Sequence, residues 1–572
     1  MKKYPKPKET KVYDLKDLLS VGAEKYRNKD YLIYKDKISG NKISVSFLQM
    51  QNLVNYIGSE FFYLGIKNTT VAVIGETSPQ WIATYLAVVN GGNVIVPLDK
   101  ELAHDELKKF LEKSNVECVV FSSSFRPFFE EVSKENEKIK FYFEIGESEG
   151  KKKIEEGFSS LVDVISCGRR LVERGYYEYI DYEIDIDKVC AILFTSGTTG
   201  TSKGVMLTQK NITSSVNAAY QMIDVAKEDV LVSVLPVHHT YEMTCGILTP
   251  ILIGCTVCIS EGLKYVVRNF QEYKPTFLVL VPMFVSTIYK KIWDTASKKG
   301  VDKKLKTGIR VSKVLRSVRI DLRKQFFKEV NDAFGGRLRK IVCGGAALSG
   351  ELMTAFDDLG INVVQGYGIT ECSPLVSVCP FNWKKPGSAG LAVPGVEIKI
   401  EKEYSFEETG EVVVRGDNIM AGYFGDEKAT RDVLSPDGWF KTGDIGYIDD
   451  DGFLFLTGRK KNVIVLDNGK NVFPEELEEH LGKIDTIKEC AVVGKKNADG
   501  ETVVTAIVFP DYATLKSKYN ITDAKAAGDE IKAMVTELNK SLPTFKQIRN
   551  VEMRTAEFEK TTSHKIKRHT IQ

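Results

Sequence analysis

The residues Phe194-Thr195-Ser196-Gly197-Thr198-Thr199-Gly200-Thr201-Ser202-Lys203-Gly204 gather a dense set of phosphate-compatible groups. Glycines let the backbone turn its N–H groups inward, hydroxyls add further donors, and Lys203 adds a mobile positive charge. The run follows an apolar strand-like stretch, CAILF, so the loop is expected to project from a strand end. A Walker A loop requires G-x-x-x-x-G-K-[ST]. Here Ser202 precedes the lysine and Gly204 follows it, so the magnesium-holding hydroxyl of that motif is out of place. The plainer alternative is an ordinary polar loop. Other groups suited to chemistry are His239 in PVHHTYE, Tyr367 and Glu371 in QGYGITE, Asp444 in TGD, Arg459 in GRKK and Lys565 in the polar tail EKTTSHKIKRH. Each has a plainer reading as well: a structural histidine, a core aromatic, a solvated loop acid, a turn-forming aspartate, an exposed cation and a basic tail.

These residues need a scaffold, and the chain has the material for one. Its 572 residues suggest two to four structural units; 43% are hydrophobic and 27% charged, with 45 glycines, which excludes disorder, collagen and coiled coil. Lysine and arginine number 79 against 77 acids, a net charge of +2, so there is no global footprint for nucleic acid. Residues 70–98 read as strand, helix, strand (VAVIGE, SPQWIATYLAVVNGG, NVIVPLD). Short apolar runs then recur: VECVVFSS, CAILFTS, VLVSVLP, TVCIS, TFLVLVP, RKIVCGG and INVVQGYG, mostly separated by amphipathic helical stretches. That alternation predicts parallel sheets covered by helices. From about 386 come brief β runs without helices (PGVEIKI, GEVVVRG, GFLFLTG), which suggest a small β subdomain; after GRKKN at 458–462 the texture becomes mixed α+β. The expected division is 1–458 and 459–572.

The lysine-bearing N-terminus lacks the apolar core of a signal peptide, and the longest apolar runs, such as FLVLVPMFV, fall short of the ~20 residues that cross a bilayer. Ten scattered cysteines fit a reducing compartment, and Cys255 and Cys258, though spaced C-x-x-C, read as buried strand residues facing opposite ways. A cytoplasmic protein is expected. Residues 290–324 are locally basic, which reads as a solvated helical face or as a patch for a membrane surface or an anionic cofactor.

With the loop in view, the chain resembles the adenylate-forming superfamily: acyl-CoA synthetases, peptide-synthetase adenylation domains and luciferases. Gly344-Gly345-Ala346 with Leu348 is similar to that family's adenine-side turn, Gln365-Gly366-Tyr367-Gly368-Ile369-Thr370-Glu371 to its Y-G-x-T-E segment, and Trp439–Asp444 to its W-x-x-T-G-D segment. Gly458-Arg459-Lys460-Lys461 and Asn468-Gly469-Lys470-Asn471-Val472 resemble its hinge and following hairpin, over a match of roughly 70 to 568.

The resemblance implies an α/β fold: a large N-terminal domain of helix-covered, mostly parallel sheets with a small β-barrel subdomain, and a small mobile C-terminal domain. It implies ATP binding by Thr195, Ser196, Gly197, Thr198, Thr199, Gly200, Gly345, Gln365, Gly366, Tyr367, Thr370, Asp444 and Arg459. Mg²⁺ would be held by Glu371 with Thr195, Asp444 would accept the ribose hydroxyls, and Lys203, Thr370, Glu371 and Lys565 would act on the phosphates. Lys461 would be the hinge, Gly469 and Lys470 would lie on the CoA side, and His239 would gate the acyl pocket. His564 departs from the family, which has glycine before the tail lysine. No aspartate stands in LPVHHTYEMTCG to pair an amino acid's ammonium, and a basic helical insertion precedes the adenine-side turn, so a long-chain fatty acid and CoA are the implied substrates. A separate acyl carrier protein is the alternative acceptor.

Overall fold

The computed structural model describes residues 4–5, 10–36, 39–195, 202–402, 408–467, 470–497, 500–560 and 566–571. The chain packs as two compact units. The first takes most of the sequence up to Phe440; the second takes Ile398–Val414 and the chain from Lys441 onward.

The first unit holds two large sheets. One runs in the order Gly422–Tyr423, Lys203–Thr208, Val189–Thr195, Val94–Leu98, Thr70–Ile74, Val116–Ser122, Phe141–Ile145, Gly157–Ser160. From Val189–Thr195 to its far edge every pairing is parallel, whereas Lys203–Thr208 returns antiparallel. The other sheet has nine strands and a parallel centre: Asn362–Gly368, Lys340–Cys343, Phe277–Leu280, Val230–Ser233, Thr256–Ile259 and Asp30–Lys35. Parallel strands are covered on both faces, so they read as unbroken apolar runs, and the stretches TVAVI, VIVPL and FLVL are buried almost throughout.

The covering helices start where local chemistry dictates. Ser78 caps Pro79–Asn90 by accepting from the Trp81 N–H, and proline fills the first turn, whose N–H has no helical partner. Every residue of that helix except Gln80 is buried, as a helix apolar all round must be. Ser46 and Gln49 form a reciprocal capping box at the start of Phe47–Tyr63. Phe110, on the His104–Lys113 helix, stacks on Phe194 at 4.1 Å and 3°, fixing the strand end from which the phosphate-type loop departs. Cys255 and Cys258 are 2% and 1% exposed with free thiols, and burial pushes both up to about 12, so they are inert core residues.

In the second unit the brief β runs form a four-stranded sheet in the order Val396–Glu401, Gly410–Gly416, Phe440–Ile448, Leu454–Arg459. Beyond it, Ile487–Lys496, Thr502–Pro510 and Asn550–Met553 make a three-stranded sheet. Leu477, Val492, Val508, Ile531 and Val535 form a core between this sheet and the helices Pro474–Leu481 and Ala524–Asn539. Among the described residues no helix is long and apolar enough to cross a membrane.

Candidate active site

Ligand sites of open α/β sheets lie at the carboxyl ends of the parallel strands. The sequence candidates of the first unit stand at such ends. Thr195 closes Val189–Thr195 and pairs with Lys203, which opens the returning strand. Gly345 lies just past Lys340–Cys343, at φ +83°, a conformation that glycine adopts without strain. Gln365, Gly366 and Tyr367 end the strand Asn362–Gly368, and Thr370 and Glu371 occupy the 3₁₀ turn that follows it. His239 lies beyond Val230–Ser233.

Lys203 and Glu371 are joined by a residue that the sequence reading missed. The Lys203 ammonium lies 4.4 Å from the centroid of the Tyr423 ring, and the Tyr423 hydroxyl donates to Glu371 Oε1 at 2.9 Å. Tyr423 is 7% exposed; burial, then the neighbouring Glu371 charge, raise its phenol well above the usual range, so it remains a proton donor. The main chain repeats the connection. Gly422 and Tyr423 pair with Met206 and Val205, the Phe424 N–H donates to the Gly204 carbonyl at 2.7 Å, and the Met420 N–H donates to the Glu371 carbonyl at 2.9 Å. A two-residue strand is too short to leave an alternation pattern, so only the hydroxyl-bearing aromatic in AGYF could have flagged it.

The glycine turn and the strand after it are locked by a side chain expected to touch nucleotide. Gln365, 3% exposed, accepts from the Leu348 N–H through Oε1 at 2.8 Å, so its carbonyl positions the turn. A Cβ at Gly344 would stand 2.8 Å from Tyr241 Cζ, and the Tyr241 hydroxyl donates to the Val342 carbonyl at 3.1 Å. Gly344 therefore lets an aromatic ring close against the turn. Tyr367 is 8% exposed and alternates onto the same strand face as Gln365.

The histidine expected to gate the pocket stands beside one that pairs across the fold. His238 Nε2 lies 3.4 Å from Asp99 Oδ2, and the His238 and His239 rings are 4.2 Å apart. Asp99 follows Val94–Leu98, so the pair ties a strand end of one sheet to the link leaving a strand end of the other. Next in the chain, the π-helical stretch Tyr241–Leu248 holds Glu242 at 1% exposure. The Ser233 hydroxyl contacts Oε1, while Oε2 is buried with no hydrogen-bond partner among the described residues. π-Helical geometry within a helix is frequent at functional sites.

Burial pushes Glu242 up to about 8, against the lowering by the Ser233 hydroxyl. An unfolded glutamate loses its proton near ~4.3, so between these values the native state binds more protons and stability falls as pH rises. From about pH 5.5 to about pH 8 that loss is on the order of 3 kcal/mol. Glu242→Gln removes the titration, so the variant's melting temperature should gain on the wild type by several degrees over that interval. Equal differences at both pH values, by calorimetry, would show that no proton resides there.

In the second unit, Asp444 and Arg459 are direct neighbours across antiparallel strands and form an ion pair, Nε to Oδ1 at 2.8 Å, with Asp444 5% exposed. Lys460 pairs with the buried Glu411 at 2.7 Å. Lys461 lies in the 3₁₀ turn Lys460–Asn462, whose last residue donates to Glu475 Oε1 at 2.6 Å. Lys470 lies over the Phe545 ring at 4.5 Å, beside the short hairpin Ile464–Val465 with Asn471–Val472. Ser196, Gly197, Thr198, Thr199, Gly200, Gly469, His564 and Lys565 lie outside the described residues.

A first unit of two helix-covered sheets followed by a small α+β unit is the architecture of adenylate-forming enzymes. Residues 19–424 match the AMP-binding enzyme family and residues 461–572 match the AMP-binding enzyme C-terminal domain, so the chain belongs to this family. The family match thus begins about fifty residues before the point expected from the motifs. The early strand Asp30–Lys35 explains this, since it pairs with Thr256–Ile259 inside the nine-stranded sheet. Among relatives, the long-chain-fatty-acid–CoA ligase FadD15 of Mycobacterium bovis is 27% identical over 577 residues, covering 95% of this chain and 92% of the relative. Among solved structures, the anthranilate CoA ligase AuaEII in complex with anthranoyl-AMP has a TM-score of 0.76 at 20% identity, over 98% of this chain and 97% of its own. The o-succinylbenzoate CoA synthetase MenE of Bacillus subtilis has a TM-score of 0.72 at 21% identity, over 97% of each chain.

Proposed function

We propose that the protein is an AMP-forming acid–thiol ligase that activates a long-chain fatty acid with ATP and transfers the acyl group to CoA. The observation that carries this reading is the linkage of Lys203, Tyr423 and Glu371 beside the strand end where the phosphate-type loop departs. In the first half-reaction a carboxylate oxygen attacks the α-phosphorus, the bond to the bridging oxygen breaks, and pyrophosphate leaves with acyl-AMP behind. Lys203, the loop hydroxyls and N–H groups of 195–200, and Thr370 neutralise phosphate charge, and Lys565 stabilises the crowded phosphorus. Glu371 and the Thr195 hydroxyl are hard oxygen donors that would hold Mg²⁺. When bound, that ion offsets negative charge on the phosphates. Gly345, Gly366 and Tyr367 border the adenine, and Asp444, with Arg459 beside it, accepts the ribose hydroxyls.

In the second half-reaction the CoA sulfur attacks the acyl carbon and AMP departs. An acyl adenylate hydrolyses when wetted, so a lid formed by 459–572, swinging about Lys461 to bring Gly469 and Lys470 toward the thiol side, would protect it. The acyl chain would enter past His239. Long-chain preference draws on the names of the relatives, the small residues of GGAALSG and the lack of an ammonium-pairing aspartate. A cytoplasmic location accompanies this reading.

The reading is tested by pyrophosphate release with a panel of acids from acetate to oleate, including aromatic and amino acids. Turnover should be highest with the long unbranched acids, and a maximum on an aromatic or amino acid would overturn the substrate assignment. Supplying CoA and purified acyl carrier protein separately distinguishes the acceptors; acylation of the carrier alone would favour the alternative.

A further inference from the structure

Residues 290–324 carry thirteen lysines and arginines against three aspartates, in a chain whose net charge is +2. The rest of the molecule is therefore net acidic, and this segment is its concentrated positive patch. Its centre is the helix Asp302–Ser317. The inner side of that helix is anchored: Ser312 is 1% exposed, and Lys313 and Arg316 pair with the buried Asp358 at 2.9 and 2.7 Å, Arg316 also with Asp357. Those inner cations are neutralised. Lys303, Lys304, Lys306, Arg310 and Arg319 are exposed, and none has a carboxylate at ion-pair distance among the described residues.

Along the same outer side stand Val311, Val314 and Val318, 43%, 68% and 62% exposed, followed by Ile320 at 47%. The spacing i, i+3, i+7 makes the valines one stripe, with Lys304 at its head and Lys303 and Arg310 on its flank. Valine is a modest helix former and gains nothing from standing in water. A ridge of three with free cations beside it needs an apolar medium bordered by negative charge.

We propose that this outer face docks on an anionic phospholipid bilayer, the helix lying in the interface plane with its valines entering the headgroup–acyl boundary. The proposal is independent of the reaction proposed above. RNA would use the cations but leave the valines in water. A second copy meeting this face across a two-fold axis would bring two strongly basic segments together.

The test is sedimentation of the full chain with phosphatidylcholine vesicles, with and without phosphatidylglycerol. The protein should pellet with the anionic vesicles, remain in solution with neutral ones, and be released by salt. Lys303→Gln and Arg310→Gln should each weaken binding about fivefold. Val311→Ser, Val314→Ser and Val318→Ser should each weaken it about fourfold. These side chains are exposed, and an unchanged melting curve certifies each variant as folded. Equal pelleting with neutral vesicles, or valine variants that bind as well as the parent, would overturn the proposal. So would absence of vesicle binding alongside RNA binding or a concentration-dependent dimer. Pyrophosphate release, assayed without lipid, reports on the reaction separately, so either reading can fail while the other stands.

Discussion

Lys565→Ala should slow pyrophosphate release from ATP and a fatty acid by about 10²–10³-fold, the loss of about 3–4 kcal/mol that follows removal of one preorganised charge-stabilising donor. Transfer to CoA from supplied acyl-AMP should be far less affected, because in that step the acyl carbon is attacked and no crowded pentacoordinate phosphorus forms. Rapid-quench measurement of the two half-reactions decides it. Equal losses would mean that one arrangement of the chain serves both steps and that the tail lysine is not specific to adenylation. His564, standing where the family has glycine, gives a companion variant: His564→Gly should leave adenylation intact if the tail tolerates the larger residue.

The second large effect concerns Glu371. Pyrophosphate release should disappear in chelator and return with Mg²⁺, and Glu371→Gln should raise the Mg²⁺ required for half-maximal rate by well over an order of magnitude. Tyr423→Phe is the more discriminating change. It keeps the ring beneath Lys203 but removes the hydroxyl on Glu371, so the Mg²⁺ requirement should rise about 10-fold, as when a group orienting a metal ligand is lost. Tyr423→Leu removes both interactions and should also raise the KM for ATP. Titration of Mn²⁺ with nucleotide, followed by electron paramagnetic resonance, reads the metal affinity directly. Full activity in chelator, or a Glu371→Gln variant with unchanged Mn²⁺ affinity, would remove Glu371 from the metal site, and a Tyr423→Phe variant with unchanged affinity would remove the orienting role of the Tyr423 hydroxyl.

The scaffold was legible where local pattern sufficed. The apolar runs from VAVIGE to INVVQGYG are strands because parallel strands covered on both faces need apolar residues at every position. The strand Asp30–Lys35 was not legible, since its partner Val257 lies more than two hundred residues away and nothing local announces the pairing. The site followed the same division. Thr195, Lys203, Gly345, Tyr367 and Glu371 carried recognisable spacing and stand at strand ends. Their supports did not. Tyr423 reaches Glu371 across 52 positions, Asp99 reaches His238 from the other sheet, and Gln365 is committed to a main-chain N–H that its motif does not contain. Residue types announce chemistry, whereas the contacts that aim them are made only by folding.

Glu242 and Gly246 bear on how this chain can drift. A Cβ at position 246 would come within 2.8 Å of both carboxyl oxygens of Glu242, a side chain 1% exposed, so the buried carboxyl would have to shift. Alanine at 246 is therefore accommodated more easily once position 242 has been shortened, and a descendant that keeps the buried acid favours glycine four residues later. Swapping the two residues one at a time passes through a strained intermediate in one order but not in the other.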